Sequence, residues 1–162
     1  MPNLSQQRIG AVRRFNRFYT RQIGVLRKNY LDSPYSLGEM RVLYEIAHRG
    51  ARTASDIMRA LDLDAGYLSR VLRNFEKAGL INRKASAKDA RQSEIALTTR
   101  GAKTYAPYER RSQQNTGAML GKLKPAEQAR LVAAMDSIET LLAGEMEKPA
   151  AKPGSVPASG QN

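Results

Sequence analysis

The chain has 162 residues, of which 41% are hydrophobic, enough for one domain that buries a real core rather than a disordered polymer. Its formal net charge is +12, which favours anionic partners. It contains no cysteine and one histidine, His48; disulfides, thiolate metal sites and thiol-based peroxide sensing are excluded, and a histidine-based metal site is disfavoured.

In residues 5–30, Val12, Phe15, Tyr19, Ile23, Leu26 and Tyr30 recur at spacings of three and four, which predicts one long helix. Arg14, Arg17, Arg21 and Lys28 fall on its opposite side. The first 30 residues carry seven Lys or Arg and no acid. Pro34 interrupts the helix, and Ser36 with Glu39 has the spacing of a capping box. The helix opened there turns Leu37, Met40, Leu43 and Ile46 inward, and Gly50 is placed to end it. Thr53 then caps a short helix with Ala54, Ile57 and Leu61 inward. Only Asp62 and Leu63 separate it from Asp64, the cap of the next helix, and Gly79 stands where that helix should stop. Two short helices so tightly joined read as a helix-turn-helix.

Residues 80–85 and 93–98 read as a two-stranded hairpin with a charged tip. Thr98 caps a long helix from about Thr99 to about Leu123, in which Pro107 introduces a kink. Pro125 opens a last helix, striped with Leu131, Val132, Met135, Ile138 and Leu142 and ending near Met146. Residues 147–162 are rich in Pro, Gly, Ser and Ala and read as a disordered tail. No apolar run is long enough to span a bilayer, and MPNLSQQRIG lacks a signal-peptide core, so a cytoplasmic location without membrane attachment is expected.

The stretch DAGYLSRVLRNFEKAGL, residues 64–80, has two unlike faces. Leu68, Val71, Leu72 and Phe75 lie within about 100° of one another, with Gly66, Arg70, Arg73 and Lys77 roughly opposite. Alone, such a basic face fits a solvated surface, a membrane anchor or a nucleic-acid reader. Its neighbours narrow the choice, because a helix-turn-helix followed at once by a basic hairpin is a winged helix. The major groove is about 12 Å wide and admits one helix. Ala65, Gly66 and Ser69 are small enough to bring the backbone near base edges. Arg70 and Arg73 reach phosphate or the O6/N7 edge of guanine, Lys77 extends the same face, and Tyr67 borders it. The hairpin adds Arg83, Lys84, Lys88 and Arg91, with a tip suited to a narrow minor groove.

These residues carry a resemblance. TASDIMRALDLDAGYLSRVLRNFEKAGLI is similar to the helix-turn-helix block of the MarR family of winged-helix transcriptional regulators. KDARQSEIALTTRG resembles that family's wing signature, through Asp89 and Arg91, then Leu97, Thr98 and Gly101. The likeness covers residues 5–146. It implies a mainly α fold with a small β-hairpin wing: four helices, two strands and two helices. Residues 36–98 would then be the DNA-binding winged helix-turn-helix, and residues 5–30 and 99–146 the helices through which two copies dimerise. It further implies that Arg91 contacts DNA, that Asp89 pairs with a neighbouring basic side chain, and that a homodimer acts on a pseudo-palindromic operator, most often as a repressor.

The family commonly takes a small aromatic or phenolic anion in a cleft between the dimer helices and the winged helix. Tyr19, Tyr30, Tyr44, His48 and Arg52 are the candidates to line such a cleft here, although aromatics at helical spacing are more often core. VRRFNRFYTRQIGVLRKNYLDSPYSLGEMRVLYEIA is also similar to the regulator half of proteins that fuse a MarR-like domain to a GNAT-type acetyltransferase. The alternative is therefore a regulatory module associated with such an enzyme. No glycine loop to cradle a pyrophosphate is visible, so neither enzymatic activity nor a cofactor is expected.

Overall fold

The computed structural model describes residues 3–27, 30–48, 52–89 and 91–146. The elements are α1 (Leu4–Gln22), α2 (Leu37–His48), α3 (Ala54–Leu61), α4 (Ala65–Lys77), β1 (Ile81–Ala85), β2 (Ser93–Leu97), α5 (Thr99–Leu120) and α6 (Pro125–Met146). The chain divides after Gln114 into two compact units. The expected Gly50 stop of α2 and the tail from residue 147 lie outside the described residues.

Helix starts follow the sequence closely because each is set by a local side chain. Glu39 Oε2 accepts from the Ser36 backbone N–H at 2.8 Å while Ser36 Oγ accepts from Glu39 N–H, closing the capping box. Thr53 and Asp56 close a second box over α3. Asp64 Oδ1 accepts from Tyr67 N–H at 2.9 Å, and Thr98 Oγ1 accepts from Gly101 N–H at 2.9 Å.

The first helix is shorter than its apolar spacing suggests. It ends at Gln22, with Ile23 as its C-cap, because Gly24 turns into the left-handed region at φ +73. Leu26 and Tyr30 therefore leave the helix, and Lys28 lies outside the described residues. A 3-10 turn, Tyr30–Asp32, follows, in which Leu31 and Asp32 also have positive φ. Arg111 holds this turn from α5, donating from Nη1 to the Leu31 carbonyl at 2.6 Å.

In the first unit the core is the inner faces of α2, α3 and α4 with the base of the hairpin: Val42, Leu43, Ile57, Leu68, Leu72, Phe75 and Ile95 are all essentially solvent-free. Tyr105 of α5 joins them. Strand β1 pairs antiparallel with β2, from Ile81 opposite Leu97 to Ala85 opposite Ser93. Arg52 adds one rung beyond β2, donating to and accepting from the backbone of Ile95.

Helix α5 is continuous through Pro107, whose missing N–H deprives the Lys103 carbonyl of its usual donor. In the second unit Glu127 Oε2 accepts from Lys124 N–H at 2.8 Å, and Gln128 Nε2 donates to the carbonyls of Leu120 and Leu123, fixing the turn into α6. No helix among the described residues is long and apolar enough to cross a membrane.

Candidate nucleic-acid interface

The joint between α3 and α4 is built from two residues. Asp62 adopts a left-handed conformation and donates its N–H to the Met58 carbonyl, and Leu63 N–H bonds to the same carbonyl. This closes α3 within one turn of the Asp64 cap, so α4 starts at a fixed angle to α3. Leu68, Val71, Leu72 and Phe75 then anchor α4 to the core. By helical geometry the opposite side must face outward. Ala65, Gly66, Ser69, Arg70, Arg73 and Lys77 are all exposed there, bringing six of the eleven candidate contacts onto one surface.

Tyr67 behaves differently. It is half-buried against the core, and its hydroxyl lies over Gly38 so closely that a Cβ on that glycine would collide with it. The side chain joins α4 to the start of α2 rather than standing free beside the basic face.

The hairpin leaves α4 through Gly79, whose φ is +71; Leu80 N–H closes the turn on the Phe75 carbonyl at 2.9 Å. Thr98 Oγ1 ties the other strand to the same place, donating to the Gly79 carbonyl at 2.7 Å. A Cβ on Gly101 would collide with the Leu80 carbonyl, so only glycine allows α5 to start this near β1. At the far end, Asp89 Oδ1 accepts from Arg91 N–H and the Asp89 carbonyl from Gln92 N–H. Lys84, Lys88 and Arg91 are exposed along this projection. The expected pairing of Asp89 with a basic side chain is not what the structure holds. Its carboxylate instead shapes the tip through the backbone, and among the described residues it has no ion pair. Arg83 also departs from expectation: its Nε lies 3.2 Å from Glu76 Oε2 of α4, so it turns toward the helix rather than away from the protein.

A second feature lies where α2 meets α5. Tyr30, Leu31, Met40, Arg41, Tyr44, Tyr105, Tyr108, Glu109 and Ser112 line an open hollow of about 300 Å3, counting the solvent at its mouth. Two of the five cleft candidates, Tyr30 and Tyr44, are in its wall. His48 stands beside it, with its ring centroid 4.3 Å from that of Tyr44 and Nε2 2.8 Å from Glu109 Oε1. Tyr19 does not belong to it and stacks on Phe15 within α1. Nor does Arg52, whose guanidinium lies 3.3 Å from the carboxylate of Glu45, both of them largely shielded from solvent. Burial, with Glu109 and Tyr44 nearby, raises the Tyr105 phenol to about 12. Its hydroxyl therefore keeps its proton, and its capacity to donate, at any ordinary pH. Among the described residues no cluster of His, Cys, Asp or Glu is suited to a metal.

Residues 35–93, from two residues before α2 to the first residue of β2, match the family model described as MarR family. The match takes in α2, α3, α4 and β1. No curated protein matches the sequence. Solved structures share its fold over most of their length: a mutant of MarR from E. coli complexed with operator DNA (20% identity, 85% of this chain and 99% of that one, TM-score 0.67), S. aureus MepR in its DNA-binding conformation (23% identity, 82% and 98%, TM-score 0.66), and Bordetella bronchiseptica BpsR, whose DNA binding is regulated by 6-hydroxynicotinic acid (21% identity, 82% and 98%, TM-score 0.63).

The α5 wall of the hollow was not among the residues expected from the sequence. Tyr105, Tyr108 and Ser112 follow one another at helical spacings of three and four, in line with Gly101 one turn earlier, and that row was the available signal. The contacts of Glu45 and Glu76 cross a turn between two elements, to Arg52 and Arg83, and that of Glu109 joins α5 to His48 of α2, so none follows from the spacing within one helix.

Proposed function

We propose that this protein is a sequence-specific double-stranded DNA-binding regulator that acts as a homodimer on a pseudo-palindromic operator, as a ligand-responsive repressor. The observation that carries this reading is the exposed cationic side of α4, with its apolar side anchored and the Arg91 tip projecting from the same unit. Arg70 and Arg73 read bases or phosphate in the major groove, Ala65, Gly66 and Ser69 allow close approach, and Lys77, Lys84, Lys88 and Arg91 neutralise phosphate. Arg91 is suited to a narrow minor groove. The DNA complexes of structurally similar regulators support the same reading.

The hollow is the effector site in this reading. A planar aromatic carboxylate would lie among Tyr30, Tyr44 and Tyr108, accept from the protonated Tyr105 hydroxyl and pair with Arg41. The regulation of BpsR by 6-hydroxynicotinic acid makes that compound the first probe to try. Its effect on DNA binding would come from unequal affinity for the conformers that fit and do not fit the operator.

The test is a palindromic duplex selected from a random pool, with its affinity compared against random duplex at about 150 mM salt. The reading requires clear preference for the selected duplex and a log–log salt slope of about −0.9 per phosphate contact. Equal affinity for the two duplexes would overturn it.

A further inference from the structure

Glu76 is an acid in an unfavourable place. It sits in the last turn of α4, where a negative charge opposes the helix dipole, and it is exposed on a surface that otherwise presents Arg70, Arg73 and Lys77. Near a phosphate backbone it would repel. Its partner explains its position. In β1 side chains alternate between the two faces, so Arg83 shares a face with Ile81, and its register partner is Ile95. Ile81 and Ile95 are both buried, which makes this the inner face of the hairpin, the one turned toward the helices. From there Arg83 Nε reaches Glu76 Oε2 at 3.2 Å, across the Gly79 turn that is the covalent hinge between helix and wing.

We propose that Glu76 and Arg83 form a strut that sets the angle between the recognition helix and the wing, and that Arg83 is a positioning residue rather than a phosphate ligand. This rests on the DNA-binding reading above. Gly79 permits the turn but does not fix its angle, because glycine occupies a wide range of backbone conformations. Among the described residues, the charged contact bridging this hinge is the one between these two side chains. A helix and a wing that must enter adjoining grooves together need that angle set before DNA arrives, since ordering it on binding would weaken the complex.

The experiment uses the full chain, whose lack of cysteine allows clean labelling at Asn74→Cys and Ala87→Cys. Spin labels at these exposed positions report the helix-to-wing distance without DNA. The strut requires that Glu76→Gln and Arg83→Gln each broaden the distance distribution, and that the exchange Glu76→Arg with Arg83→Glu narrows it again. With the unlabelled chain and the selected palindrome, each single variant should lower the preference over random duplex by about three- to tenfold, the double variant Glu76→Gln with Arg83→Gln no further. The salt slope should stay at its original value in Arg83→Gln. The proposal is overturned if the distance distribution ignores Glu76→Gln. It is equally overturned if Arg83→Gln makes the slope shallower by about 1.8, the loss of one phosphate contact in each of two subunits, while Glu76→Gln tightens binding. Should no duplex be preferred at all, the DNA reading fails, and the distance measurement still decides the strut.

Discussion

Single atoms decide whether the wing is attached correctly. Gly101 meets the Leu80 carbonyl so closely that a methyl group has no room, and the obstacle is backbone, which does not rotate away. Gly101→Ala must push α5 from β1 or break the Thr98 bonds, and should destabilise the protein by about 1–3 kcal/mol, as overpacking does. Urea unfolding would show it as a lower midpoint at unchanged slope; an unchanged midpoint would mean that α5 does not start as described. Asp56 offers a different test. Its hydrogen bonds from the Thr53 hydroxyl and backbone hold its carboxyl below its ordinary value of 3.8. A depressed carboxyl pKa gives stability that is fully present above the unfolded value and is lost as pH falls through the folded one. Asp56→Ala should therefore lower stability by about 1 kcal/mol near neutrality, with the gap to the original protein closing below about pH 4. Thermal melts at several pH values would measure that gap. One that persisted undiminished in acid would locate the effect outside the carboxylate.

At the scale of elements, what is legible in the sequence is what is decided locally. Ser36, Thr53, Asp64, Thr98 and Pro125 each mark a helix start because capping needs only residues within one turn, and all five stand where those helices begin. The end of α1 is not legible in the same way, because the spacing of Ile23, Leu26 and Tyr30 continues past Gly24 while the helix does not. The aim of Arg83 is present in its alternation with Ile81, but a reading of the hairpin as a row of charges hides it. Arg52 is not legible at all. Nothing in the local pattern indicates that Glu45, in the helix just before it, neutralises it, or that its backbone pairs with Ile95. The buried residue in that pair is Glu45, and a buried charge stripped of its partner costs more than the pair contributes. Arg52→Ala should therefore destabilise the protein by about 3–5 kcal/mol, and the double variant Arg52→Ala with Glu45→Met should recover much of the loss. A double variant no more stable than Arg52→Ala would show that the guanidinium acts by packing instead.

For the whole molecule, the decisive feature is apolar surface without an owner. Helix α1 has no buried residue, and Val12, Phe15 and Phe18 are 59%, 44% and 52% exposed. In α6, Leu141 and Leu142 are 74% and 63% exposed. Isolated exposed leucines need no explanation, but an apolar row along a helix, as on α1 and again on α6, is what a protein partner would be expected to cover. A second copy is the economical partner, because a twofold dimer covers equivalent surfaces on both chains and presents two recognition helices about one helical turn apart. Phe15→Glu with Phe18→Glu introduces charge into the middle of the α1 row without touching the core of the winged helix. Sedimentation velocity should find the original chain dimeric and this variant monomeric. The variant should retain its helical circular dichroism, yet bind the selected palindrome with a salt slope about half as steep, because one winged helix reaches half the phosphates. A variant that stays dimeric would move the interface away from α1. An original chain that sediments as a monomer would leave the palindromic operator without a physical basis, since one winged helix offers only one reading head.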